Sequence, residues 1–165
     1  MDAWRDFAGK APELAAHGRR LLLIDTPEMP GAGLGYLATV RADGGPRVHP
    51  ISPALHDDRL WAFVLHGSPK LDDLIRDGRY ALHSWPLPFE DDGFNDEEWY
   101  LEGRAVRIVD PALTARIAAI VGDDPTRGDV FELRIGHVLH KHRVDGRVVY
   151  DRWPAEATGS PAASR

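Results

Sequence analysis

The sequence has no cysteine, which excludes disulfides, thiol nucleophiles, iron–sulfur ligation and thiolate zinc sites. It also lacks an excess of positive charge. With 20 Lys and Arg against 26 Asp and Glu, the formal charge is −6, and the basic field that sequence-independent nucleic-acid binding requires is missing. No apolar run approaches the ~18 residues of a membrane span, and the opening MDAWRDFAGK carries no apolar leader core. A cytoplasmic protein that engages neither membrane nor nucleic acid is expected. No G-x-S-x-G elbow is present, which removes that form of serine catalysis. The acid-rich segment from Pro86 to Glu98 lacks the D-x-[DN]-x-[DN]-G spacing of a calcium loop and reads as a solvated loop. No internal repeat is evident.

At 165 residues the chain suits one domain with a real core. Its elements run over residues 1–153, and the small, polar stretch 154–165 is expected to be a disordered tail. Apolar spacing predicts a helix over about 11–24, with Pro12 in its first turn and Gly18 weakening its middle. A Pro- and Gly-rich loop, Thr26 to Gly35, leads on.

The most informative stretch runs from Gly35 to Arg79. Three runs rich in β-branched, aromatic and aliphatic residues, 35–41, 46–54 and 60–65, are separated by Ala42-Asp43-Gly44-Gly45 and Asp57-Asp58. A helix follows, with Ser68 as N-cap and Pro69 at its first position. In the middle run Arg47, His49 and Ile51 share one face and Val48, Pro50 and Ser52 the other. Pro50 and Pro53 donate no ladder hydrogen bonds, so this strand reads as irregular or as an edge with backbone groups free for a ligand. At the helix start Lys70 adds a cation beside free N–H groups, an end that suits a phosphate. Within that helix Leu71, Leu74 and Ile75 form the expected buried stripe, with Asp72, Asp73 and Arg76 outward.

Downstream, strands are expected at 80–85, at 99–110 with Gly103 open to a close neighbour, and as a hairpin of 131–144 and 147–153 joined at Asp145-Gly146. A helix is expected over 111–121, with Asp110 as N-cap and Pro111 at its first position. In HVLHKH, alternation puts His140 and His142 on one face and His137 on the other, so three ligands at one site would need another element. No metal site is assigned from sequence.

The pattern LATVRADGGPRVHPISP, then LWAF, then GSPKLDDLIRDGRYALHSW, resembles the pyridoxamine 5'-phosphate oxidase-like split-barrel flavoproteins. The resemblance runs from about Trp4 to Trp153 and is most specific in its middle third. It implies an α+β fold, a mainly antiparallel six- or seven-stranded split β-barrel with flanking helices, and a homodimer with FMN sites at the interface. On this pattern Arg47, Val48, His49, Pro50, Ile51 and Ser52 border the flavin ring, Phe63 and Val64 lie beneath or beside it, and Ser68 and Lys70 bind the phosphate. Arg76 and Arg79 are more distant phosphate candidates. The C-terminal strand is expected to deliver Arg152 or Trp153 to the partner's cofactor, and Trp99 and Trp153 are the first candidates for interface residues. Two departures matter: Pro69 stands where the oxidases proper carry an Arg, and no Arg-Leu-His-Asp-Arg-like substrate motif occurs near the C-terminus. The resemblance therefore implies an FMN-binding oxidoreductase-like protein with a different small-molecule substrate, not a genuine pyridoxamine phosphate oxidase. A deazaflavin coenzyme in a related reductase, or a non-catalytic flavin or haem carrier, are the alternatives.

Overall fold

A computed structural model describes residues 1–23, 30–85 and 97–154. Most of the Pro86–Glu98 loop, the start of the Thr26–Gly35 loop and the tail beyond Pro154 lie outside these residues. The described chain forms an α+β fold built on one antiparallel sheet of eight strands, rather than the six or seven expected. The strands are β1 (Gly35–Val40), β2 (Pro46–Ile51), β3 (Pro53–His56), β4 (Arg59–Leu65), β5 (Arg79–Ser84), β6 (Glu98–Ile108), β7 (Gly128–Val144) and β8 (Arg147–Trp153). The helices are α1 (Trp4–Lys10), α2 (Pro12–Leu22), α3 (Pro69–Arg76) and α4 (Pro111–Val121).

The run read as one strand over 46–54 is two. Ser52 breaks it, and the halves pair at opposite ends of the order β2-β1-β5-β6-β7-β4-β3, with β8 added to β7. One short peptide thus joins the two ends of the sheet path, which is how the sheet curls into a split barrel. Prolines explain the break. Pro46, Pro50 and Pro53 deny the ladder three N–H donors, so β2 pairs with β1 alone and β3 pairs with β4 as its one strand neighbour, with a short bridge to Gly31–Gly33 on its other side. The hairpin turns are local: Asp57 and Asp58 before β4, and Asp145 and Gly146 before β8, all take positive φ as two-residue turns require.

Side-chain alternation divides the core. Leu60, Ala62 and Val64 of β4 face the main interior with Leu37, Leu82, Leu101 and Leu133, whereas Trp61 and Phe63 face α4 through Ile117 and Ala118. Helix α4 forms as its signals imply: the Asp110 carboxylate accepts from the Ala112 and Leu113 amides, and Gly122 closes the helix at φ 73°. Within the long strand pair, Gly103 sits at a register shift, where a Cβ would come within 1.8 Å of the Arg134 carbonyl. The close neighbour is backbone.

Helices α1 and α2 cap one mouth. Trp99 is fully buried there, its indole N–H donating to the Leu14 carbonyl at 3.0 Å and its ring meeting Trp4 and Phe7. That position corrects the expectation of an interface role, since Trp99 is spent within the core of the chain itself. Trp153 is partly buried with its ring 5.2 Å from that of Phe7. Gly18 has a packing reason as well: a Cβ there would lie 2.4 to 2.9 Å from three atoms of the Trp99 ring. Gly18→Ala, which by helix propensity alone would stabilise, is therefore expected to destabilise by about 1–3 kcal/mol through overpacking. Urea unfolding of the variant checks this, and a gain in stability would contradict it.

Candidate functional site

The β2–β3 break, the head of α3, the outer face of β4 and the end of α4 meet at a cavity of about 280 Å³. Pro50, Ile51 and Ser52 form one wall, Phe63 the base, and Ser68 and Lys70 the rim. Leu34, Leu65, Val121 and Asp123 complete the lining. Residues 18 positions apart in sequence converge because β2 ends where α3 begins on the same side of the barrel.

The rim carries two polar groups, Ser68 and Lys70. Ser68 occupies the N-cap position with extended backbone but its hydroxyl makes no cap hydrogen bond. Lys70 Nζ donates to the Pro50 carbonyl at 3.2 Å and faces no carboxylate within ion-pair distance among the described residues. Burial lowers the Lys70 pKa. Here a cation is held at a helix N-terminus, where the helix dipole already opposes it. An anion at that point would relieve both costs. On β2, His49 Nε2 is buried without a hydrogen-bond partner among the described residues, but neither His49 nor Arg47 is among the described residues that line this cavity.

Arg47 and the α3 helix are tied by a group that sequence reasoning misplaced. Asp73, expected outward, is only 3% exposed. Its carboxylate accepts from Arg47 Nε at 2.7 Å, Thr39 Oγ1 at 2.8 Å and Arg76 Nη2 at 3.2 Å. Burial raises the Asp73 pKa, but the hydrogen bonds from Arg47, Thr39 and Arg76 together outweigh it and the net shift is downward. Inward rotation of Asp73 also turns Ile75 out of the expected stripe, leaving it 53% exposed.

The other expected site residues are dispersed. Val48 is exposed on the opposite face of β2 from Arg47 and His49. Val64 neighbours Phe63 in sequence but points into the main core, because successive strand residues face opposite sides; its side chain is not beside the cavity. Arg76 is committed to Asp73 and to the Val40 carbonyl, and Arg79 is clasped by Asp77 at 2.6 Å. Neither lines the cavity. Arg152 and Trp153 line a different one, of about 330 Å³, with Tyr100, Glu102 and His137.

The histidines sort as alternation implies. His137 pairs with Glu102 at 2.9 Å, while the parallel rings of His140 and His142 stack at 4.5 Å between centroids on the other face. A third group does arrive from other elements. His17 of α2 stacks on His140 at 4.1 Å, and Asp151 of β8 bonds His142 at 2.8 Å.

Comparison with known proteins bears on the family and the fold. Residues 27–142 match the family model described as pyridoxamine 5'-phosphate oxidase. No curated protein matches the chain in sequence. Among solved structures, a haem-binding protein from Mycobacterium smegmatis superposes with a TM-score of 0.56 at 21% identity, covering 73% of this chain. The chain spans only about half of that protein, 53%. A conserved hypothetical protein from Mycobacterium tuberculosis gives 0.53 at 19% identity, over 64% of this chain and 74% of its own. An F420 reductase gives 0.50 at 17% identity, over 69% and 94%. At such identities the likeness is one of fold.

Proposed function

The chain belongs to the pyridoxamine 5'-phosphate oxidase family, and from that premise we propose that it is an FMN-binding oxidoreductase-like homodimer acting on a small molecule other than pyridoxamine phosphate. The observation that carries this reading is the rim of the cavity, where the Ser68 hydroxyl, which makes no cap hydrogen bond, and the partly buried Lys70 ammonium flank the α3 N-terminus. Ser68 and Lys70 would hold the phosphate. Pro50, Ile51 and Ser52 would border the ring and Phe63 would pack against it. When bound, FMN supplies the hydride or electron chemistry. The protein's part is to bind and orient: Leu34, Ile51, Phe63, Leu65 and Val121 offer apolar contact to a ring, and Ser68 and Lys70 offer polar contact to a phosphate.

A deazaflavin with a longer acidic tail fits less well. Lys70 is the one cation among the described lining residues, and Asp123 adds negative charge. Among the described lining residues there is no histidine to serve as an axial haem ligand. The C-terminal strand, with Trp153, lies apart from this cavity within the subunit, so any contact of Trp153 with cofactor in this proposal is across a dimer interface.

Lys70→Ala is expected to weaken FMN by about 1.5–3 kcal/mol, the range for a charge-assisted hydrogen bond. Riboflavin, lacking the phosphate, should bind wild type and variant alike. Parallel fluorescence titrations with both ligands test it. An unchanged FMN affinity, or an equal loss for riboflavin, would remove Lys70 from the phosphate site.

A further inference from the structure

We propose that His140, His142 and Asp151 form a binding site for a borderline divalent cation of the Zn²⁺ class, sharing no residue with the cofactor cavity. His140 and Asp151 are register partners on β7 and β8, and His142 follows two residues along on the same face. Their ligand atoms lie within 4.8 Å of one another. Such proximity alone is common. The informative group is His140, whose side chain is fully buried and whose Nδ1 has no hydrogen-bond partner among the described residues.

The other nitrogen shows which way the ring is used. His140 Nε2 lies 2.8 Å from Glu97 Oε1, and Glu97 is paired in turn with Arg20. A proton on Nε2, donated to Glu97, leaves a lone pair on Nδ1. A carboxylate that orients an imidazole from behind is the usual outer support of a metal-binding histidine. The lone pair on Nδ1 looks toward Asp151 Oδ2 at 3.6 Å, and His142 Nε2 sits 2.8 Å from the same oxygen. In this tautomer Nδ1 and the Asp151 oxygen are acceptors facing one another, a position that either a proton or a metal cation satisfies, and the metal cation is the occupant proposed.

Because the two imidazole rings are parallel, their lone pairs lie in parallel planes, and they meet at one ion once the partly exposed His142 ring turns about its Cβ–Cγ bond while Glu97 holds His140 in place. That torsion is soft in histidine. Two imidazoles and one carboxylate suit Zn²⁺, Co²⁺ or Ni²⁺ rather than Mg²⁺ or Ca²⁺, which take oxygen ligands. Asp151 and His17 open onto a cavity of about 350 Å³ lined also by Ala11, Pro12, Glu13 and Leu14, giving the ion a route in and a position for water.

The test is titration of tag-free, chelator-treated protein with Co²⁺, followed by visible d–d absorption and calorimetry, then displacement by Zn²⁺. One equivalent with cobalt bands is expected. His142→Ala and Asp151→Asn, both at partly exposed positions, should each weaken the metal by about tenfold or more, and Glu97→Gln by about 10–100-fold with the band shape kept. His137→Ala, on the opposite face, should bind as wild type does. Absence of cobalt bands in wild type, or unaltered affinity in His142→Ala and Asp151→Asn, would overturn the site. Loss of binding in His17→Ala with Asp151→Asn unaffected would also overturn it, moving the ion to the His17, Glu97 and His140 group.

Discussion

Asp73→Ala is expected to cost about 3–5 kcal/mol of stability, the range for removing one partner of a buried ion pair. Three donors converge on this nearly buried carboxylate, and its loss leaves Arg47 without its acceptor and Thr39 with an unmatched hydroxyl. Arg47 and Arg76 are partly exposed, so water can rescue some of the loss and the lower half of the range is the better expectation. Asp73→Asn separates charge from shape. Since the folded-state pKa of Asp73 is lowered, its contribution is fully present above the unfolded value of about 3.9 and is lost as pH falls through the folded one. The stability gap between wild type and Asp73→Asn should therefore narrow in acid below about pH 4. Urea melts at several pH values measure it, and a gap that widens in acid would contradict the assignment.

Trp99→Ala should cost about 3–5 kcal/mol as well, the usual result of emptying a large buried site. The ring is enclosed by Trp4, Phe7 and the Gly18 backbone, and its N–H holds the Leu14 carbonyl. Trp99→Phe keeps much of the volume but removes the indole donor, while the Leu14 carbonyl stays in the α2 ladder, so the lost hydrogen bond and a partial cavity together are expected to cost about 1–3 kcal/mol. If Trp99 instead served an interface, the alanine variant would shift the monomer–dimer equilibrium while leaving the stability of the isolated subunit nearly intact. Sedimentation alongside urea unfolding distinguishes these.

What could be read from the sequence was local. The turns at Ala42–Gly45, Asp57-Asp58 and Asp145-Gly146, the Asp110-Pro111 helix start and the Ser68-Pro69 start all form where residue chemistry places them. The edge character of β2 followed from its prolines. Partnership across long separations was not legible. Nothing in residues 46–54 says that the two halves pair at opposite ends of the sheet, because that is decided by β4 and β7. Helix α1 escaped notice since its seven residues are held by Trp4 and Phe7 packing on a distant Trp99, not by a periodic stripe. Asp73 was misplaced for a related reason: a charged residue is assigned outward unless its partners are known, and Arg47 and Thr39 lie 26 and 34 residues away. Five of the expected cofactor residues besides Lys70 do line one cavity, namely Pro50, Ile51, Ser52, Phe63 and Ser68. Val64 failed on the two-residue period of its strand, a rule that was available from the sequence. His17 and Asp151 reach His140 and His142 only through the packing of α2 and β8 on β7.

The central claim is that the cavity at the head of α3 binds a flavin phosphate, and its most direct test is the visible spectrum of the purified protein after incubation with FMN and gel filtration, with mass spectrometry of the ligand released by heat. The account predicts retained flavin absorption, released material with the mass of FMN, and loss of most of that absorption in Lys70→Ala. Protein that emerges colourless, or that carries a deazaflavin or haem and excludes FMN, would contradict it.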